Sequence, residues 1–134
     1  MSKRKRTRLI GAYSEPPAPS ISLPFTLANL RALLAEGERP DARYTQQQIK
    51  AWADGFWWTQ FEQVVSLGAD VPPEIEKAAE LAQEIEMQWD MHLANTYTLL
   101  ELQRVDFSQV RLPTKWFADW LARLNQLAPP TVSE

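Results

Sequence analysis

Between Glu74 and Arg104 the chain contains neither glycine nor proline. An uninterrupted stretch of this kind predicts one long helix of about 30 residues, roughly 45 Å at 1.5 Å per residue. Pro72 and Pro73 open it, because proline is tolerated in a first helical turn, and Glu74 and Glu76 complement the positive end of the helix dipole. Ile75, Ala78, Ala82, Ile85, Trp89, Leu93, Thr96 and Leu100 recur at helical spacing and form one stripe. A second stripe of Met87, Met91, Ala94, Leu102 and Val105 lies on another side of the later half, where the earlier half carries Glu76, Glu80 and Glu84. The expected helix is therefore covered on one face early and on two faces late.

Three shorter helices fit around it. Leu27, Leu30, Leu33 and Leu34 mark a helix over Leu23 to Glu36 that Gly37 stops. Thr45 is a good N-cap for a second helix reaching about Ser66, with Gly68 past its end. Ile49, Trp52, Ala53, Phe56, Trp57, Phe61, Val64 and Leu67 cover about half its circumference, as expected of a helix enclosed by neighbours. Gly55 inside it marks a close contact or a slight bend. The last helix, Thr114 to Leu127, puts Trp116, Phe117, Trp120, Leu121, Leu124 and Leu127 on one face. Lys115, Asp119, Arg123 and Gln126 occupy the other. No strand-like alternation and no internal repeat is visible.

Charge divides the chain in two. Lys3, Arg4, Lys5, Arg6 and Arg8 are five of the 14 basic residues, whereas no acid precedes Glu15. From residue 9 onward nine basic residues face 17 acids, which leaves the body at −8 against a whole-chain charge of −3. Such a body repels polyanions, so the basic run is the one segment suited to nucleic acid or to an acidic neighbour. Pro16, Pro17 and Pro19 follow it and favour an extended spacer. The organisation read from these patterns is a basic, proline-rich arm over 1–22, a helical domain over 23–128 and a tail over 129–134.

Several chemistries are excluded or poorly supported. The absence of cysteine removes disulfides, thiolate nucleophiles and thiolate metal sites. His92 is the sole histidine, placed at the rim of the main stripe near Gln88, Asn95 and Thr96, a position that suits a hydrogen-bonded packing residue. No Glu-x-x-His unit of the di-iron type occurs, and the four glycines are scattered rather than gathered into a phosphate-binding loop. No metal, cofactor or small-molecule substrate is expected. With neither a membrane-length apolar run nor an apolar signal region after the basic start, a soluble intracellular protein is expected.

Interface chemistry is better represented. Six tryptophans are many for 134 residues, and Trp52, Trp89, Trp116 and Trp120 fall on buried stripes. Trp58 and Val65 instead point outward beside Glu62, either as a second packing contact within the monomer or as part of a partner interface. Together with Met87, Met91 and Leu102 they form the expected protein-binding face, while Glu76, Glu80 and Glu84 form an acidic docking face. The expected fold is an all-α, four-helix bundle built on the long helix. The expected role is a non-enzymatic subunit of an assembly, binding proteins or its own copies through these faces and nucleic acid or an acidic neighbour through Lys3, Arg4, Lys5, Arg6 and Arg8. Alternatives are a nucleic-acid-binding accessory protein that dimerises through its bundle, and an acidic inhibitor or immunity-type protein.

Overall fold

A computed structural model describes residues 15–68 and 70–129. Among these the chain is all-helical, with α1 (Leu27–Gly37), α2 (Gln46–Val65), α3 (Pro73–Thr96), α4 (Leu99–Leu102), a 3₁₀ turn (Phe107–Gln109) and α5 (Thr114–Leu127). The basic residues Lys3, Arg4, Lys5, Arg6 and Arg8 and residues 130–134 of the tail lie outside the described residues.

The long helix is shorter than its freedom from glycine and proline implies. It stops at Thr96, and Tyr97 takes an extended conformation at φ −119°, ψ 147°. The reason lies just beyond. Thr98 accepts from the Glu101 amide at 3.1 Å and Glu101 returns the bond to the Thr98 amide at 2.8 Å. This capping box starts a new helix and competes with continuation of the old one. The chain then turns inward, and Leu102, Phe107, Val110 and Leu112 all join the core. Expected coverage of both faces of the late helix is thereby overturned: Met87 and Met91 are exposed, and Leu102 is buried by the turn and not by a helix face.

α2 and α3 form an antiparallel hairpin, since Lys50 near the start of α2 lies over the ring of Trp89 late in α3, at 5.4 Å. α5 crosses the open face of α3, where Arg123 forks onto Glu84 with bonds of 2.8 and 2.9 Å. α1 lies antiparallel to α5, with Phe117 packed against Gly37 and Arg31 Nε donating to Asn125 at 2.8 Å. The Arg31 guanidinium also donates to the Ala128 carbonyl. Buried Gln46 closes the far end, donating to the Gly37 carbonyl at 3.2 Å and accepting from the Leu112 amide at 2.5 Å. Both backbone groups would otherwise be costly to bury.

α1 begins later than its leucine pattern suggests. Pro24 ends an extended segment, and Thr26 supplies the N-cap by accepting from the Asn29 amide at 3.1 Å. The spacer expected over residues 15–22 is itself packed on the body. Gln47 donates to the Pro16 carbonyl at 3.0 Å, Gln48 to Pro19 at 3.1 Å and Trp52 to Leu23 at 3.0 Å. Ile21 is buried, and the ring of Phe25 covers Gly55, which accounts for the glycine in α2. Glu15 fastens this segment across the hairpin. Its carboxylate accepts from Trp89 Nε1 at 3.1 Å and from Gln47 at 2.9 Å, and it pairs with Lys50 at 3.2 Å.

Candidate functional site

The covering elements end before the α2–α3 hairpin does. Phe25, just before α1, sits at the level of Gly55. α5 finishes four residues after Arg123, the partner of Glu84, while α3 continues back a further 11 residues to Pro73. About 10 Å of hairpin therefore extends past α5. Burial changes at this boundary: Ile49, Trp52, Ala53 and Phe56 are core, but none of the described residues from 57 to 77 is buried. The apolar face of α2, expected to be enclosed throughout, is enclosed only in its first half.

The uncovered part is strongly apolar. Trp58 is 50% exposed, Phe61 43%, Val65 62% and Leu67 73%. The rings hold one another, with Trp57 stacked on Phe61 at 4.9 Å and 15°, and Trp58 edge-on to Trp57 at 4.7 Å and to Phe61 at 5.6 Å. Mutual packing forms a platform with its outer surface in water. Trp58 and Val65 each keep half or more of their surface open among the described residues. Contiguous exposed aromatic surface is uncommon on monomers and characteristic of binding sites.

Acidic groups frame this platform. Residues 51–80 contain Asp54, Glu62, Asp70, Glu74, Glu76 and Glu80 against Lys77 alone. All but Asp54 of these acids are exposed. The acidic face read from the sequence thus divides. Glu76 and Glu80 belong to the exposed rim of the hairpin tip, whereas Glu84 is engaged by Arg123 and by Trp120 Nε1, the latter at 3.4 Å. The Arg123 hydrogen bonds hold the Glu84 carboxyl below the usual carboxylate range, and Glu84 in turn raises the Arg123 guanidinium. Glu84 is a fastening between α3 and α5.

The expected hydrophobic face divides as well. The Lys50–Trp89 contact sets a register that places Trp58 near Leu81. Met87 and Met91 then lie about 9–15 Å further along α3. They are exposed at 53% each but do not join the aromatic platform, and Leu102 is buried at 3%. The charged rim and the platform meet at the hairpin tip, which the sequence pattern did not mark as a tip. The available signal was the run from Trp57 to Leu67 followed by Gly68 and a proline-started helix.

His92 packs edge-on to Trp116 at 6.0 Å, with its Nδ1 3.5 Å from the Thr96 hydroxyl. Partial burial lowers its pKa and favours the neutral ring. Among the described residues no group of three His, Asp or Glu side chains is placed to hold a metal ion, and no helix is long and apolar enough to cross a membrane. An open groove lies at α4, lined by Tyr97, Leu100, Glu101, Arg104 and Val105. Its polar groups are the Tyr97 phenol, the Glu101 carboxylate and the Arg104 guanidinium. Compared with family models, curated proteins and solved structures, the chain matches none.

Proposed function

We propose that this chain is a non-enzymatic, protein-binding subunit of a larger assembly, and that the tip of its α2–α3 hairpin is the binding surface. In this reading α1, α2, α3 and α5 act as a bundle that holds the hairpin rigid, and the basic arm Lys3 to Arg8 extends from it to contact nucleic acid or an acidic neighbour. The observation that carries the proposal is the platform of Trp58, Phe61 and Val65, stacked internally yet open to water. Its centre is aromatic and its rim charged, the usual anatomy of a protein interface.

Site-specific photo-crosslinking of the full chain in its native cells tests this. A photoreactive phenylalanine at Phe61 should give discrete protein adducts, and the same group at Asp119, exposed on α5, should give few. Absence of adducts from position 61, or equal labelling from both positions, contradicts the proposal.

A further inference from the structure

We infer that the hairpin tip is occupied by the N-terminal segment of a second copy, so that copies join head to tail. This rests on reading the tip as a protein-binding surface. It adds the identity of the occupant. Two observations lead to it, the direction in which the chain enters the body and the chemistry of the segment outside it.

The extended segment runs along α2 in one direction, from Glu15 and Pro16 at Gln47 to Phe25 at Gly55. Residues 1–14 are therefore joined to the body at the start of α2. The tip lies at the other end, since Gln47 and Phe61 are 14 residues apart on one helix, or about 21 Å. Glu15, the first described residue, thus lies at the opposite end of α2 from the tip.

Their chemistry is complementary. Residues 3–13 read Lys-Arg-Lys-Arg-Thr-Arg-Leu-Ile-Gly-Ala-Tyr, five cations leading into Leu9, Ile10 and Tyr13. The tip offers the converse, an apolar platform inside a rim of Glu62, Asp70, Glu74, Glu76 and Glu80. Two tips placed against each other would oppose like charges, which disfavours a symmetric tip-to-tip dimer. A basic segment on an acidic rim is attracted instead. Because the two surfaces are different, the contact is heterologous and a joined pair keeps one free donor and one free acceptor, giving rings or open chains.

Sedimentation velocity on the full-length protein tests this. At low salt the wild type should form species larger than a dimer that grow with concentration, with the association constant falling by about tenfold or more as salt screens the contact. Deleting residues 2–8, or replacing Phe61 in Phe61→Asp, should each return a monomer with unchanged circular dichroism. Mixing the two variants should restore a dimer and nothing larger, because one supplies only a tip and the other only an arm. A dimer that survives the deletion, or a wild-type chain monomeric at every concentration, overturns head-to-tail joining. The crosslink from position 61 separates the two proposals: adducts on residues 3–13 of another copy support both, whereas adducts only on other proteins overturn this one and leave the tip as a binding surface.

Discussion

Glu15→Ala should destabilise the protein far more than its place in a proline-rich terminal segment suggests. The carboxylate is the shared acceptor for Trp89 Nε1, the Gln47 amide and the Lys50 ammonium, at 3.1, 2.9 and 3.2 Å. The Glu15 and Lys50 side chains are only 9% and 13% exposed, so water cannot fully replace the lost partner. Removing one member of a buried pair costs about 3–5 kcal/mol, mostly because the other charge is stranded. Lys50 keeps the face of Trp89 and slight access to water, which points to the lower end, about 3 kcal/mol. With a urea dependence of about 1.5–2 kcal/mol/M, the midpoint of unfolding should fall by about 1.5–2 M. Urea titration followed by far-ultraviolet circular dichroism measures it. The double variant Glu15→Gln/Lys50→Met removes both charges and should recover much of the loss. A single-variant loss below about 0.5 kcal/mol would refute the account of Glu15 as a buried fastening.

The two helical glycines should respond differently to alanine. Gly37→Ala drives a methyl group into the buried ring of Phe117 and should cost about 1–3 kcal/mol, whereas Gly55→Ala meets the movable, 39% exposed Phe25 and gains helix propensity. Thermal melts of both variants check the order, and equal losses would contradict the packing described. Glu84 has a folded-state pKa depressed by Arg123, so its stabilisation is present above about pH 4.3, the unfolded carboxylate value, and is lost as pH falls through the folded value. Since both partners are partly exposed, the gap in unfolding free energy between wild type and Glu84→Gln should be below about 1 kcal/mol at pH 7 and should close as pH falls through the folded-state value. A gap independent of pH would contradict the pairing. By urea titration Val65→Ser should leave the unfolding free energy within about 0.5 kcal/mol of wild type, because that side chain is exposed, and Trp58→Ser, which loses its edge contacts with Trp57 and Phe61, should lower it by about 1 kcal/mol. A loss above about 2 kcal/mol in either would mean that the platform serves the monomer's own core.

The clearest periodicity translated directly into structure. α5 spans Thr114–Leu127 and buries Phe117, Trp120 and Leu124, as its strongly one-sided pattern implies. Thr45 caps α2 because a hydroxyl before a helical pattern has few better uses. The long helix was overextended because the absence of helix breakers does not compel a helix. The Thr98-Leu99-Leu100-Glu101 capping box was a local signal for a new start. Glu15 was not legible as a fastening, since its partner Trp89 is 74 residues away and nothing local encodes the pairing. Phe107, Val110 and Leu112 enter the core from irregular chain with no periodicity to reveal them. The hairpin tip was half legible: its apolar residues were visible in the sequence, but the length of the neighbouring elements decides which of them stay uncovered. That length is a property of packing.

Amide hydrogen exchange of the full chain, compared between dilute and concentrated solutions, tests the central claim that the hairpin tip is bare in the monomer and covered by association. In dilute protein, residues 57–68 should exchange much faster than 46–56 and 78–93, whose apolar side chains form the core. On concentration, protection should rise at 57–68 and 70–77 while α5 stays unchanged. Fast exchange at the tip that concentration leaves unaltered, or protection that rises on α5 instead, would contradict the claim.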